Sequence, residues 1–303
     1  MPESLVAFII LFVGAALLRA SGVLHRSHAE RLAALVFSIS LPATILVSLD
    51  GIQFTHTAWK LPLAATLITL PMLLVTWQVA DLLQLPRQTR GGFLLGTGCI
   101  NSIYFAYPVI LATLGDAGLA QAILFDLGQT TLTLTLLYGL AVWHGTVSAS
   151  AGSATRRFLA APPLWALAAI LLLKLLGLRL PDWLRDLLLP LHFTTTPLAS
   201  LVLGLSISLS RRARVGLAVL GVALRMGGGM LLGFAAAALL HLGGVERAVV
   251  ILVAGMPSAV TAVIFAAEAG LDEELVASIV ALSVVGGVAV LPWLPQVAHW
   301  LMR

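Results

Sequence analysis

Residues Gly96 to Gly115 read GTGCINSIYFAYPVILATLG. The stretch lies inside a long apolar segment, yet it makes a poor continuous helix. Gly96, Gly98 and Pro108 weaken or break the hydrogen-bond ladder, and Asn101 and Ser102 bring polar groups to membrane depth. A break in lipid frees backbone N–H and C=O groups. Those are tolerated only where they are buried in protein or line a cavity. A broken span is therefore a candidate ligand site, and the question becomes whether it has a partner.

The whole chain is apolar enough to frame that question. Of its 303 residues, 60% are hydrophobic and 10% are charged, against ~25% charged in an average soluble protein. This composition describes an integral membrane protein with almost no sequence left for a soluble domain. Cys99 is the single cysteine, which excludes an internal disulfide and Cys-based zinc motifs. The net charge of +4 fits loop topology better than nucleic-acid binding. The opening MPESLVAF carries no basic residue and reads as a retained first helix rather than a signal peptide.

Ten apolar segments have spanning length, at 4–20, 32–50, 59–81, 91–114, 118–143, 159–178, 184–209, 214–241, 246–269 and 273–300. On one set of alternate loops lie ten basic residues, among them Arg19, Arg87, Arg90, Arg156, Arg157 and Arg214; the other set carries five. The positive-inside rule then puts both termini outside the cytoplasm. Residues 144–158 (HGTVSASAGSATRRF) form a linker, and divide the chain into repeats at 1–143 and 159–303.

The two repeats match. Pro42 and Pro197, and Gly115 and Gly270, share a shift of 155 residues. At that shift Asn101-Ser102 falls on Met256-Pro257, so the ninth span (AGMPSAVTAVIFAAEAG) is broken at the same depth as the fourth. Five spans per half is odd, so the halves are inverted. The expected fold is all-α, with ten transmembrane helices in two inverted five-helix repeats and broken helices 4 and 9 crossing near the midplane.

Several stretches carry a family resemblance. They are SLPATIL in the second span, Asn101 to Pro108 followed by TLGDAGLA, TPLASLVLGLSIS in the seventh, and GMPSAVTAVIFAAEAGLDEELVASIVALSVV through the ninth and tenth. In order and spacing they resemble the auxin efflux carrier family of membrane transporters, in its compact bacterial form. The resemblance implies a scaffold domain, a transport domain and organic-anion substrates, in the bacterial inner membrane. It also implies that Asn101, Pro108 and Pro257 mark the crossing that holds substrate, and that the protein forms homodimers. The chain departs from the pattern at Ala106 and Tyr107, where Gly usually precedes the fourth-span Pro. It departs again at Gly286 and Gly287 in the tenth span and at Gly227 to Gly229 after Arg225.

Residue by residue, Asn101 offers an amide beside half-helix N-termini, where a carboxylate is stabilised without a full positive charge. Ser102, Met256, Pro257 and Ser258 complete the two breaks, and Tyr104 and Tyr107 line a pocket or simply pack. Arg225 lies eleven residues past Arg214, about 16 Å deep at ~1.5 Å per residue. A charge there marks a pathway or a buried pair, so it attracts the anion or pairs with Asp126. Asp126 and Glu268 are candidate coupling carboxylates, with a fixed ion pair and a helix end as the plainer readings. Gln129, one turn after Asp126, faces the same interior surface. His192 reads as packed and neutral, and Lys60 and Lys174 as snorkelling. Trp59, Trp143, Trp183, Trp293 and Trp300 suit an interfacial belt.

The expected function is transport of a small organic anion by alternating access, with no cofactor and no metal. The rival transport reading is a bile-acid-type sodium symporter. The breaks contain no Asp or Glu that would favour sodium. An intramembrane enzyme would need a motif such as HExxH or GxSxG, and neither occurs. A purely structural or sensory bundle would have no need of matched broken helices.

Overall fold

The computed structural model describes residues 2–52, 58–147, 160–207 and 214–303, and is all-helical there. The helices are α1 (Glu3–Ala20), α2 (26–50), α3 (Lys60–Leu82), α4 (Arg87–Gly98), α5 (102–114), α6 (116–144), α7 (Pro162–Leu175), α8 (Asp182–Ser206), α9 (Val215–Leu239), α10 (Gly244–Ala254), α11 (Val260–Ala269) and α12 (Glu273–Leu301). Seven helices among the described residues are long and apolar enough to cross a membrane. Most of the linker expected at 144–158, with Arg156 and Arg157, lies outside the described residues, as does the end of the segment expected to reach 209.

Proline sets the local form of two helices. Pro42 and Pro108 each follow a five-residue π-helical turn, Val36–Ser40 and Ser102–Ala106. Proline gives no N–H and its ring crowds the carbonyl four residues back; a widened turn before it relieves both. The helix that carries the second apolar segment begins at residue 26, six residues before the expected start of that segment at 32. Pro108 does not itself break the fourth span. It sits inside α5 just after the widened turn, which accommodates its ring and its missing N–H.

Gly115 joins α5 to α6 with φ 68°, and Gly270 closes α11 with φ 70°. Both take the left-handed region that a side chain disfavours. A Cβ on Gly270 would also press on Thr146 Oγ1, next to the bonds from Thr146 and Val147 N–H to the Ala269 carbonyl. Gly270→Ala is expected to cost at least about 1 kcal/mol, seen as a lower unfolding midpoint in detergent.

The helices pack in two groups that cut across the two halves of the sequence. In one, α1, α2, α7 and α8 pack mainly on each other, and the Thr44 and Thr195 hydroxyls meet at 2.7 Å between α2 and α8. In the other, α3, α4, α6, α9, α10, α11 and α12 pack together. Gly128 carries α6 onto the Pro62 carbonyl of α3, and Gly221 carries α9 onto Ile279 of α12. The groups touch over fewer residues, chiefly where α5 meets α8 and where Phe8 meets Phe105 edge to face at 5.7 Å.

Lys60 and Lys174 do not simply reach for water. Lys60 Nζ donates to the Leu240 carbonyl at 2.8 Å, and Lys174 Nζ donates to the Asp50 and Ile52 carbonyls. Each ammonium satisfies the carbonyl end of a neighbouring helix, which carries partial negative charge. The five tryptophans expected at span ends are all exposed.

Candidate functional site

The two breaks meet. Asn101 N–H donates to the Pro257 carbonyl at 2.9 Å, and Ala259 N–H donates to the Cys99 carbonyl at 3.1 Å. This makes a one-residue antiparallel bridge between Ile100 and Ser258. Four helix ends converge on it: the C-termini of α4 and α10, and the N-termini of α5 and α11.

Each helix end needs partners for its unbonded backbone groups. On the C-terminal side, protein side chains supply them. Arg225 Nη1 donates to the Thr97 carbonyl at 2.9 Å and Nη2 to the Ala254 carbonyl at 2.6 Å. One guanidinium thus bridges the last turns of α4 and α10. Gln129 Nε2 donates to the Gly98 carbonyl at 3.2 Å, while Gln129 Oε1 accepts from Thr69 at 2.6 Å. Ser283 Oγ accepts from Ser258 N–H at 3.0 Å.

Arg225 is 1% exposed and does not line the cavity described below, and it makes no bond to Asp126. Both expected roles give way to a third. Two helix dipoles point their negative ends at one place, and a buried guanidinium with two forked donors answers both. Gly229, one turn after Arg225, makes room for it. A Cβ on Gly229 would collide with the Ala254 carbonyl and with Arg225 Nη2. Gly287 does the same for the other break, since a Cβ there would overlap Pro257 and Phe105.

The N-terminal ends open on a cavity of about 350 Å³ between the two helix groups. Asn101, Ser102, Tyr104 and Tyr107 line it from the first break and α5. Asp126, Gln129, Thr130 and Thr133 line it from α6, and Ala259, Val260, Thr261 and Phe265 from the second break and α11. Across from them stand Phe37, Leu41 and Ile45 of α2 and Leu164 and Leu167 of α7.

Within this wall, Asn101 Nδ2 donates a long bond of 3.4 Å to the Ser258 carbonyl. Asp126 Oδ2 accepts from Tyr107 Oη at 3.1 Å and from Thr130 Oγ1 at 3.2 Å. Ser102 Oγ lies near the same carboxyl but outside hydrogen-bonding geometry.

Of the residues singled out in the sequence, the cavity gathers Asn101, Ser102, Tyr104, Tyr107, Asp126 and Gln129. Pro108, Met256, Pro257 and Ser258 lie outside its lining and shape the backbone behind it. Glu268 lies in the last turn of α11, away from the cavity. His192 is buried with Nε2 3.7 Å from Asp116 Oδ1, also away from the cavity. Thr130, Thr133 and Thr261 were missed. Thr130 was within reach of the sequence reading, standing four residues after Asp126 on the same helix face.

Comparison with known proteins gives the family of the chain. The sequence matches the family described as "Membrane transport protein" over residues 3–294. A protein of Methanothermobacter thermautotrophicus described as an uncharacterized transporter is 29% identical over 302 residues, covering 96% of each chain. An uncharacterized transporter of Methanocaldococcus jannaschii is 26% identical over 291 residues, covering 92% of each. The chain is thus an integral membrane transporter rather than an enzyme, and it belongs to the membrane transport protein family, the auxin efflux carrier family that its motifs resemble.

Proposed function

We propose that this transporter moves small organic anions, malonate-like or auxin-like carboxylates, by alternating access, with the anion held at the crossing. One observation carries the reading: the N-termini of α5 and α11 open together into the cavity. Their free N–H groups and partial positive charge suit a carboxylate. The cavity volume of about 350 Å³ falls in the range of small-molecule sites.

In this reading α4 with α5 and α10 with α11 each count as one interrupted span, giving ten spans in two inverted repeats. Contacts between helix ends support the alternation. Arg19 with the Leu205 carbonyl, Arg87 with the Trp143 carbonyl and Thr89 with Asp272 join ends that alternation puts on one side. Lys60 with Leu240, Lys174 with Asp50 and Arg247 with Leu301 join ends on the other. The basic-residue count makes the first side cytoplasmic, in a bacterial inner membrane, with both termini outside.

The moving part is the group containing the crossing, sliding as an elevator against α1, α2, α7 and α8. The cavity lies on the seam between them, and the thin contact there supports that division. A homodimer accompanies the reading by resemblance.

The test is uptake of labelled organic acids, malonate and indole-3-acetate included, into proteoliposomes under a proton gradient, a sodium gradient or neither. Uptake above protein-free vesicles is expected for at least one acid. A strict need for sodium would favour the bile-acid-type symporter, and no uptake of any acid would overturn the anion reading.

A further inference from the structure

The cavity presents an electrostatic problem for an anion carrier. Among the described residues, Asp126 is the one charged side chain that lines it. The nearest candidate cation by sequence, Arg225, is turned away and spent on two carbonyls. An anion entering beside an ionised Asp126 meets a like charge in an apolar enclosure, where repulsion is poorly screened.

Other aspartates among the described residues are held differently. Asp81 pairs with Arg90 at 2.5 Å. Asp272 caps α12 by accepting from Leu275 N–H at 3.1 Å. Asp50 accepts from Leu180 N–H at 3.0 Å, with the Lys174 ammonium on its own carbonyl. Each of these three carboxylates has at least one partner that can only donate, a guanidinium or a backbone N–H, and the Thr89 hydroxyl adds a further bond to Asp272 Oδ2 at 3.1 Å. Asp126 instead meets the hydroxyls of Tyr107 and Thr130. A hydroxyl donates to a carboxylate or accepts from a carboxylic acid by rotating its proton. The shell around Asp126 therefore accommodates both forms without rearrangement.

Asp126 also sits at the right place to respond to cargo. It is eleven residues past the turn at Gly115, about 16 Å along α6 at ~1.5 Å per residue. Tyr107 ties it to α5, whose N-terminus is the anion-facing end of the crossing. The other titratable groups lining the cavity are Tyr104, Tyr107 and Cys99; α2, α7 and α11 present none there.

We propose that Asp126 is the proton site of this carrier: it takes one proton from water when the cavity takes an anion, and the two cross together. The proposal rests on the anion reading above and adds its coupling. The balance is simple. The carboxylate gains a proton on the side of entry, the loaded cavity holds the anion and a neutral Asp126, and both anion and proton leave on the other side.

The test uses proteoliposomes with labelled malonate, the membrane potential clamped at zero, and wild type beside Asp126→Asn. Asparagine mimics the protonated form. With one proton per anion, wild type accumulates malonate up to about tenfold per unit of pH gradient. Asp126→Asn should still exchange internal for external malonate, but accumulate none, and its exchange should lose its dependence on pH. Calorimetry of malonate binding in two buffers of different ionisation enthalpy gives a second readout: about one proton taken up by wild type and about none by the variant.

Accumulation by Asp126→Asn equal to wild type would overturn the proposal while leaving the anion reading standing. A folded Asp126→Asn protein that no longer exchanges malonate would also overturn it, since the carboxylate would then be needed in its ionised form. Failure of wild type to carry any acid of the panel would overturn the anion reading itself, and the coupling with it.

Discussion

Arg225→Ala should unfold well below the wild-type temperature in detergent. The variant leaves the Thr97 and Ala254 carbonyls buried without a donor. Each orphaned buried acceptor costs about 1–3 kcal/mol, so the expected loss is roughly 2–6 kcal/mol. The loss of a cation between two helix C-termini adds to it, because each end carries about half a negative charge. Arg225→Lys should fall between, since one ammonium restores the charge but not the fork that reaches both carbonyls. An Arg225→Ala protein that melts with wild type would remove Arg225 from the architecture of the crossing. Unchanged stability with lost transport would return it to the pathway.

Asn101→Ala should keep the fold and lose most of its transport efficiency. The backbone of Asn101 makes the structural bonds, donating to Pro257 and accepting from Ala106 N–H at 3.0 Å, and alanine retains both. Only the side-chain amide is lost, and its bond to Ser258 is long at 3.4 Å. Bonds of that length are weak, so the stability cost should stay near or below about 1 kcal/mol. In the proposed site the same amide would donate to a bound carboxylate at the mouth of two helix N-termini. Losing a hydrogen bond to a charged group costs about 1.5–3 kcal/mol, which is at least about tenfold in kcat/KM for uptake. Uptake kinetics beside circular dichroism of the same preparation check both halves. Unchanged uptake would move the site away from Asn101.

The crossing was legible because Gly98, Asn101 and Pro257 contradict their apolar surroundings, and a rule broken at membrane depth has few causes. The position of the break was legible only to within several residues. Pro108 looked like the breaker, yet the π-helical turn before it accommodates the proline, and the chain departs from helix earlier, at Cys99. The role of Arg225 was hidden for a different reason. Its partners are backbone carbonyls, and a carbonyl that lacks a donor leaves no mark in the sequence. Lys60 and Lys174 were misjudged on the same ground. The opposite wall of the cavity was also out of reach, since Leu41, Ile45 and Leu167 have the same residue types as lipid-facing positions. Asp126 could be picked out as an intramembrane carboxylate, but its shell of hydroxyls came from two separate helices.

The central claim is that the anion occupies the cavity at the crossing, and protection of a single thiol tests it most directly. Cys99 is the one native cysteine, so Cys99→Ala gives a background free of thiols. Thr261, exposed in the first turn of α11, lines the cavity and becomes the reporter as Thr261→Cys. A small maleimide should label it, and an acid that the protein transports should slow the labelling with half-protection near its KM for uptake. Labelling that proceeds at the same rate with and without a saturating transported acid would contradict the site.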